Sequence, residues 1–492
     1  MFGKWLKKLR GGKRVSSRHA DSLDQHLVHL GGKDWWSLRH AVESAIIFGQ
    51  PGSGKSSGPL AAILAAAFRA NVGIVSLAAK PGQADAEEAL ARKHGREVFR
   101  IGKESINVFA ELMNPNADHT TNAITLAKAV RTLKSVLSRS KPGGGGDHGE
   151  YFVGNEDRLN ENTFEAHLLA GQIPSAQGAV EFISSLPHDA EHVRSEGFKH
   201  SRCHQVLAAA FVRAKQNGWM ADFQRVHNAL MVEFVAIPQK TRGTFQAGVY
   251  GALNPLTKGQ AARTVAAAAP SLKLSDLLLR PAPPVIISEM NYGTDGDTAR
   301  AVHTLVKLVT HVVLMRRKIE SETVPILCLA DEIQNIISES DWAFASESRG
   351  YRAGSIYATQ SINSLFAAYP NEAGRAAVET LLGCLNTKVI CLPDYQTAVW
   401  ASNQLGKELR PFFGGSGGSG GYESPSDLLY GTKSNASASF NMQLTEILRP
   451  EELAQLRTGG PRNKYLVECL WLQRGRSFNG YPFTFVTFNQ KG

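Results

Sequence analysis

The chain has 492 residues, 43% hydrophobic and 20% charged, with a formal net charge of +10. That length is too great for one compact core and predicts about two to four domains of ordinary soluble composition. No apolar run approaches the roughly 20 residues that span a bilayer, and Met1 to Arg18 lacks the apolar stretch of a secretory signal. Cys203, Cys328, Cys384, Cys391 and Cys469 are scattered without a CxxC pair, which points to a reducing compartment and away from disulfides or structural zinc.

In chain order, the tail comes first. Lys4, Lys7, Lys8, Arg10, Lys13, Arg14 and Arg18 supply most of the net charge with no acid among them. A solvated arm, a phosphate-binding arm and a contact with an anionic membrane surface all fit such a tail. Phe2, Trp5, Leu6 and Leu9 fall near one face if it is helical, as an interfacial contact would need.

Residues 49–56 read Gly49-Gln50-Pro51-Gly52-Ser53-Gly54-Lys55-Ser56, a complete GxxxxGK[ST] loop, followed by Ser57. The apolar run Ala45–Phe48 predicts a buried strand before it, and Leu60–Phe68 predicts a helix after it. Glycines let backbone N–H groups turn onto phosphate oxygens, and the helix start adds its partial positive charge. Lys55 is expected to reach the β- and γ-phosphates of ATP, with the Ser56 hydroxyl on Mg2+; an ordinary glycine-rich turn is the bland alternative. The further strands predicted are 74–77 and 97–101, with a helix over 84–94 between them.

From Asn122 the pattern turns helical, with Ile124, Ala127, Val130, Leu133, Val136 and Leu137 at helical spacing and a break over 141–149. Further helices are predicted near 161–171, 176–186, 201–217 and 220–235, so residues 118–240 read as an inserted all-helical domain. Its histidines 167, 188, 192, 200, 204 and 227 match no metal-ligand spacing and read as scattered polar residues. Strands return at 284–288. Val324–Glu332 then reads as a buried strand ending in two acids: Asp331 on the metal side and Glu332 as hydrolytic base. The next strand, 354–359, ends at Gln360, a neutral amide able to sense the γ-phosphate. Arg349 and Arg352 stand on the connector before it, where one could complete a neighbouring subunit's site. Phe412 to Gly421 has the glycine–serine composition of a flexible linker or mobile loop.

In their order these segments resemble the type IV coupling proteins, the TraG/TraD-like P-loop ATPases related to the HerA/FtsK motors. The resemblance rests on Arg39–Val42 before the phosphate loop and on Ala79-Lys80-Pro81-Gly82-Gln83 as a form of the family's Lys-Gly-Glu turn. It continues through Ile106–Leu112, the helical insertion, Asp331-Glu332, the Arg-Gly-Tyr stretch and Ala358-Thr359-Gln360-Ser361. Asn386–Val389, Thr397-Ala398 with Leu405-Gly406, and Leu448–Leu453 complete it. It implies an α/β fold, a RecA-like P-loop ATPase core over 39–117 and 241–492 with the helical domain inserted, behind a basic arm at 1–38.

It also implies a homohexameric motor, with DNA as cargo and relaxase or secretion-channel proteins as partners. Two features depart from the family pattern. The phosphate loop comes within 50 residues of Met1, without the family's usual transmembrane pair, and Gln83 replaces the turn's acid. The expected place is therefore cytoplasmic, soluble or peripheral on the inner face of the membrane. A HerA/FtsK-like DNA pump in DNA processing or phage defence, and a nucleotide-dependent protein-cargo adaptor, are the alternatives.

Overall fold

A computed structural model of the chain describes residues 23–139, 149–189, 191–418 and 435–491. The basic tail Met1–Arg18 lies outside the described residues, as do 419–421 of the glycine–serine stretch.

The described chain opens with an antiparallel hairpin, β1 (His26–Gly31) and β2 (Asp34–Ser37), inside the region read from sequence as an arm. Leu27, Val28, Leu30 and Trp36 are buried. Trp36 donates its indole N–H to Thr387 Oγ1 at 3.0 Å and packs edge-on against Trp471. The folded body thus starts earlier than residue 39, because these apolar side chains have a sheet to cover.

That sheet contains β3 (Ala45–Phe48), β4 (Gly73–Ala78), β5 (Val98–Ile101), β6 (Val285–Glu289), β7 (Ile326–Ala330), β8 (Ala353–Thr359) and β9 (Thr387–Ile390). Next, β10 (Lys407–Gly418) and β11 (Asn435–Glu446) pair only with each other, as a separate ribbon. Residues 412–418, read from composition as a linker, belong to this ribbon, since ladder hydrogen bonds come from the backbone and tolerate glycine. The chain ends with β12 (Leu466–Gln473) and β13 (Phe483–Asn489), and the nine strands run in the order β13-β12-β9-β3-β8-β7-β4-β6-β5. From β9 to β5 every pairing is parallel; β12 is antiparallel to both its neighbours. The central strands are buried on both faces, which is why their sequences are continuous apolar runs rather than alternating ones. Parallel pairing also puts the carboxyl ends of β3, β4, β7, β8 and β9 on one edge, where α/β sheets hold their ligands.

Helices cover both faces. Between β5 and β6 they follow one another from His119 to Leu278, well past residue 240. Asp118 starts the first, His119–Ser138, by accepting the Thr121 N–H at 2.6 Å. Its Leu126, Val130, Leu133 and Leu137 are buried at helical spacing. They belong to one continuous apolar cluster with Phe164 of the insertion, Val302 and Val306 of the helix Tyr292–Met315, and Phe48 and Val75 of the sheet. The insertion therefore shares its core with the sheet. A second cluster on the opposite face joins the hairpin and the helices Ala61–Arg69 and Gln83–Lys93 to Ile47, Ile74, Leu327 and Trp471.

A fully buried ion pair crosses the first core. Lys307 Nζ donates to Asp341 Oδ2 at 2.5 Å and to the Ile336 carbonyl at 2.6 Å, and the Tyr357 hydroxyl donates to Asp341 Oδ1 at 2.6 Å. Burial alone would raise the Asp341 pKa, but Lys307 outweighs it and holds the carboxyl below its usual range. Arg139, at the end of the insertion's first helix, donates to the Ile337 carbonyl at 2.5 Å and to the Tyr369 hydroxyl at 2.6 Å. Together these fix the segment that follows the two acids. Lys307→Met should cost about 3–5 kcal/mol by leaving Asp341 buried and unpaired, whereas Lys307→Met/Asp341→Leu should recover most of the loss. Denaturant unfolding of both variants measures the difference.

Candidate nucleotide-binding site

The phosphate loop is pinned at its base. The Gly49 N–H donates to the Thr359 carbonyl at 3.2 Å and the Gln50 N–H to the Leu392 carbonyl at 3.0 Å, tying it to the ends of β8 and β9. Gly52 and Gly54 take left-handed conformations, with φ of 80° and 85°. A Cβ at Gly54 would also lie 2.6 Å from Val467 Cγ2 on β12, so glycine is required there by conformation and by space. Pro59 has no N–H to give the Lys55 carbonyl, and the Leu60 N–H takes its place at 3.1 Å. The turn Ser56–Leu60 is consequently a wide π turn, and the regular helix begins at Ala61.

Around this loop the sheet edge gathers charge. Ser56 Oγ donates to Asp331 Oδ2 at 2.9 Å, and Lys55 Nζ donates to Glu332 Oε1 at 3.2 Å. Gln360 Nε2 donates to Glu332 Oε2 at 3.1 Å. The structure thus brings Lys55, Ser56, Asp331, Glu332 and Gln360 together. Glu332 is itself left-handed, with φ 59°, a strained backbone for a non-glycine residue. Burial would raise its pKa, but Lys55, Gln334 and Lys80 outweigh burial and hold it below the ordinary glutamate value, so it is ionised at neutral pH.

Two neighbours of Glu332 were not singled out from sequence. Gln334 Nε2 donates to Glu332 Oε2 at 2.7 Å, while its carbonyl accepts the Thr359 hydroxyl at 2.9 Å. Lys80, at the carboxyl end of β4, places Nζ 2.5 Å from Asp331 Oδ2, 3.2 Å from Ser56 Oγ and 3.4 Å from Glu332 Oε1. Burial works against its charge, but Asp331 and Glu332 outweigh burial and raise its pKa. Gln83, the departure from the family's turn, accepts the N–H groups of Ala79 and Lys80 and donates to Glu87 Oε1 at 2.8 Å. A carboxylate could accept those two N–H groups but could not donate to Glu87. Burial pushes the Glu87 pKa up. The position of Lys80 at the end of a core strand was the signal available in the sequence; for Gln334 there was none.

The two arginines separate. Arg352 is left-handed, with φ 48°, and donates to the Ser321 and Thr323 carbonyls, both at 2.9 Å, so its guanidinium is engaged within its own chain. Arg349 is 65% exposed and meets Glu43 at 3.4 Å. Both precede β8, at the end of that strand remote from Gln360.

The Ser56 hydroxyl and Asp331 carboxylate are hard oxygen donors, the kind Mg2+ takes, and the Lys80 ammonium touching both is a stand-in cation. The residues present fit that metal.

Residues 325–458 match the family model described as the TraM recognition site of TraD and TraG. The solved structure of the plasmid coupling protein TrwB with a non-hydrolysable GTP analogue has a TM-score of 0.61 at 13% identity, covering 97% of this chain and 93% of that one. TrwB with ADP and Mg2+ has the same score and identity, over 98% and 95%. The chain is thus similar to the TraD and TraG proteins over 325–458 and shares the fold of TrwB. No curated protein matches it significantly. The coupling-protein fold accounts for the sheet, the phosphate loop at its carboxyl edge and the long helical insertion.

Gly54→Ala should lower the melting temperature and weaken nucleotide binding. Adding Val467→Ala should recover only part of the loss, since it removes the closest collision and leaves the backbone strain and the Thr458 carbonyl 3.1 Å away. Thermal unfolding and equilibrium binding of the single and double variants measure both effects.

Proposed function

We propose that the chain is an ATP-hydrolysing, DNA-translocating motor of the coupling-protein kind. The convergence of Lys55, Ser56, Asp331, Glu332 and Gln360 on one sheet edge carries this reading. Its support is the shared fold of TrwB, which has been solved with ADP and Mg2+ and with a non-hydrolysable ATP analogue.

In this reading the N–H groups of 49–57 and the Lys55 ammonium bind the phosphates. Ser56 and Asp331 hold Mg2+, which when bound neutralises phosphate charge. Glu332 takes the proton of the attacking water, with Gln334 and Gln360 fixing the carboxylate through its other oxygen. Lys55 depresses the basicity of Glu332, so turning it toward phosphate raises that basicity as substrate arrives. Arg349 is the arginine suited to reach a neighbouring subunit in a homohexamer, because Arg352 is engaged by carbonyl groups.

DNA is the cargo this reading favours, and relaxase or secretion-channel proteins are the partners, since 325–458 matches a segment described as a recognition site for another protein. Among the described residues no helix is long and apolar enough to cross a membrane. Attachment at the inner membrane face is assigned to the basic tail.

Lys55→Ala should abolish nucleotide binding, whereas Glu332→Gln should keep binding and lose about 10²–10⁴-fold in turnover. Wild-type turnover in Glu332→Gln would remove the base assignment. Arg349→Ala should bind nucleotide yet be inactive, and mixing it with Glu332→Gln should restore part of the activity through composite sites. No recovery in rings that exchange subunits would place Arg349 outside the reaction. For cargo, DNA should stimulate hydrolysis, and the stimulation should shrink at higher salt. Hydrolysis indifferent to DNA at every salt concentration would favour the protein-cargo adaptor.

A further inference from the structure

Lys80 combines a fixed main chain with a side chain that reaches out from it through solvent to the two acids. Its N–H is held by Gln83 Oε1 at 3.3 Å, its carbonyl accepts the Gln83 N–H at 3.1 Å, and Gly82 closes the turn with φ 72°. Its side chain, in contrast, is 41% exposed, while the carboxylate it contacts, Asp331, is 1% exposed. The ammonium lies on the same Asp331 oxygen that accepts the Ser56 hydroxyl, so it occupies the position where two hard oxygen donors converge. A lysine head and a divalent cation cannot share that position. Asp331, being buried, needs one or the other, because an uncompensated buried carboxylate is costly.

We infer that Lys80 is an exchangeable cation: it neutralises Asp331 and holds Ser56 until Mg2+ displaces it, and so sets the Mg2+ concentration at which the site loads. The inference rests on the nucleotide and Mg2+ reading above. Once displaced, the ammonium swings about its fixed turn and remains within reach of Glu332 Oε1, 3.4 Å away before the exchange. The side chain thereby links the arrival of metal to the charge felt by the base. Lys55 is the nearer partner of Glu332 and lacks this exchange role, since Asp331 and Ser56 are contacted by Lys80.

Two measurements on the full chain test this, one without nucleotide. In EDTA, Lys80→Met should melt several degrees below wild type, because Asp331 loses its counter-charge, and millimolar Mg2+ should restore most of the loss. Wild type should respond little to the same Mg2+. In the second measurement, the Mg2+ concentration that half-saturates tight ADP binding should fall about tenfold in Lys80→Met, whose competing charge is gone. Lys80→Arg keeps the ion pair and the fold, and should need as much Mg2+ as wild type or more.

Identical Mg2+ responses of wild type, Lys80→Met and Lys80→Arg in both measurements would overturn the inference while leaving nucleotide binding intact. Mg2+ rescue of Lys80→Met in a protein that binds no ADP would support the exchange and overturn the nucleotide reading instead. If Lys80→Met does not fold, Lys80→Gln replaces it in both measurements: a Mg2+ requirement below wild type supports competition, and an unchanged one counts against it.

Discussion

Two lysines and two carboxylates meet at the carboxyl edge of the sheet, and much of the structure can be understood as the means of holding them there. Asp331 and Lys55 are nearly excluded from solvent, so neither is tolerated without its partner. They come from strands far apart in sequence, β7 and the loop after β3, separated in the sheet only by β8. Parallel pairing is what brings their ends level. The apolar strands on either side keep water away, strengthening each of these interactions relative to an exposed pair. Gln334, Gln360 and Gln83 satisfy the remaining polar atoms without adding charge, so the cluster stays balanced.

Much of this was legible in the sequence because the signals were local. The glycine loop between an apolar run and a helix, and the strand ending in Asp331-Glu332, each carry their geometry within about ten residues. Gln360 could be placed by its position at the end of the next strand. What escaped depends on partners distant in the chain. The hairpin at 26–37 becomes visible only when Trp36 has Thr387 and Trp471 to meet. The boundary of the helical insertion was hidden because its helices bury against the same core as the sheet, so the apolar pattern runs on across it. Arg349 and Arg352 looked equivalent because nothing local announces a left-handed backbone at Arg352 or the carbonyls that hold its side chain.

The shared core also gives the insertion a mechanical relation to the site. Arg139 leaves the insertion's first helix to bind the Ile337 carbonyl, and Lys307 binds that of Ile336. Both carbonyls lie just beyond Glu332 in the chain. These hydrogen bonds tie that helix, and the helix carrying Lys307, to the main chain of the segment that follows Glu332.

The left-handed backbone at Glu332 has a further consequence, for the evolution of the chain. Holding a residue with a Cβ in that region costs on the order of 1–2 kcal/mol, a cost that glycine largely avoids and asparagine reduces. A lineage drifting under demand for thermal robustness alone would be drawn toward those two residues at this position. The glutamate that stands there in this chain bears that cost while its carboxylate meets Lys55, Lys80, Gln334 and Gln360, so on the function proposed above stabilising substitutions belong elsewhere in the chain.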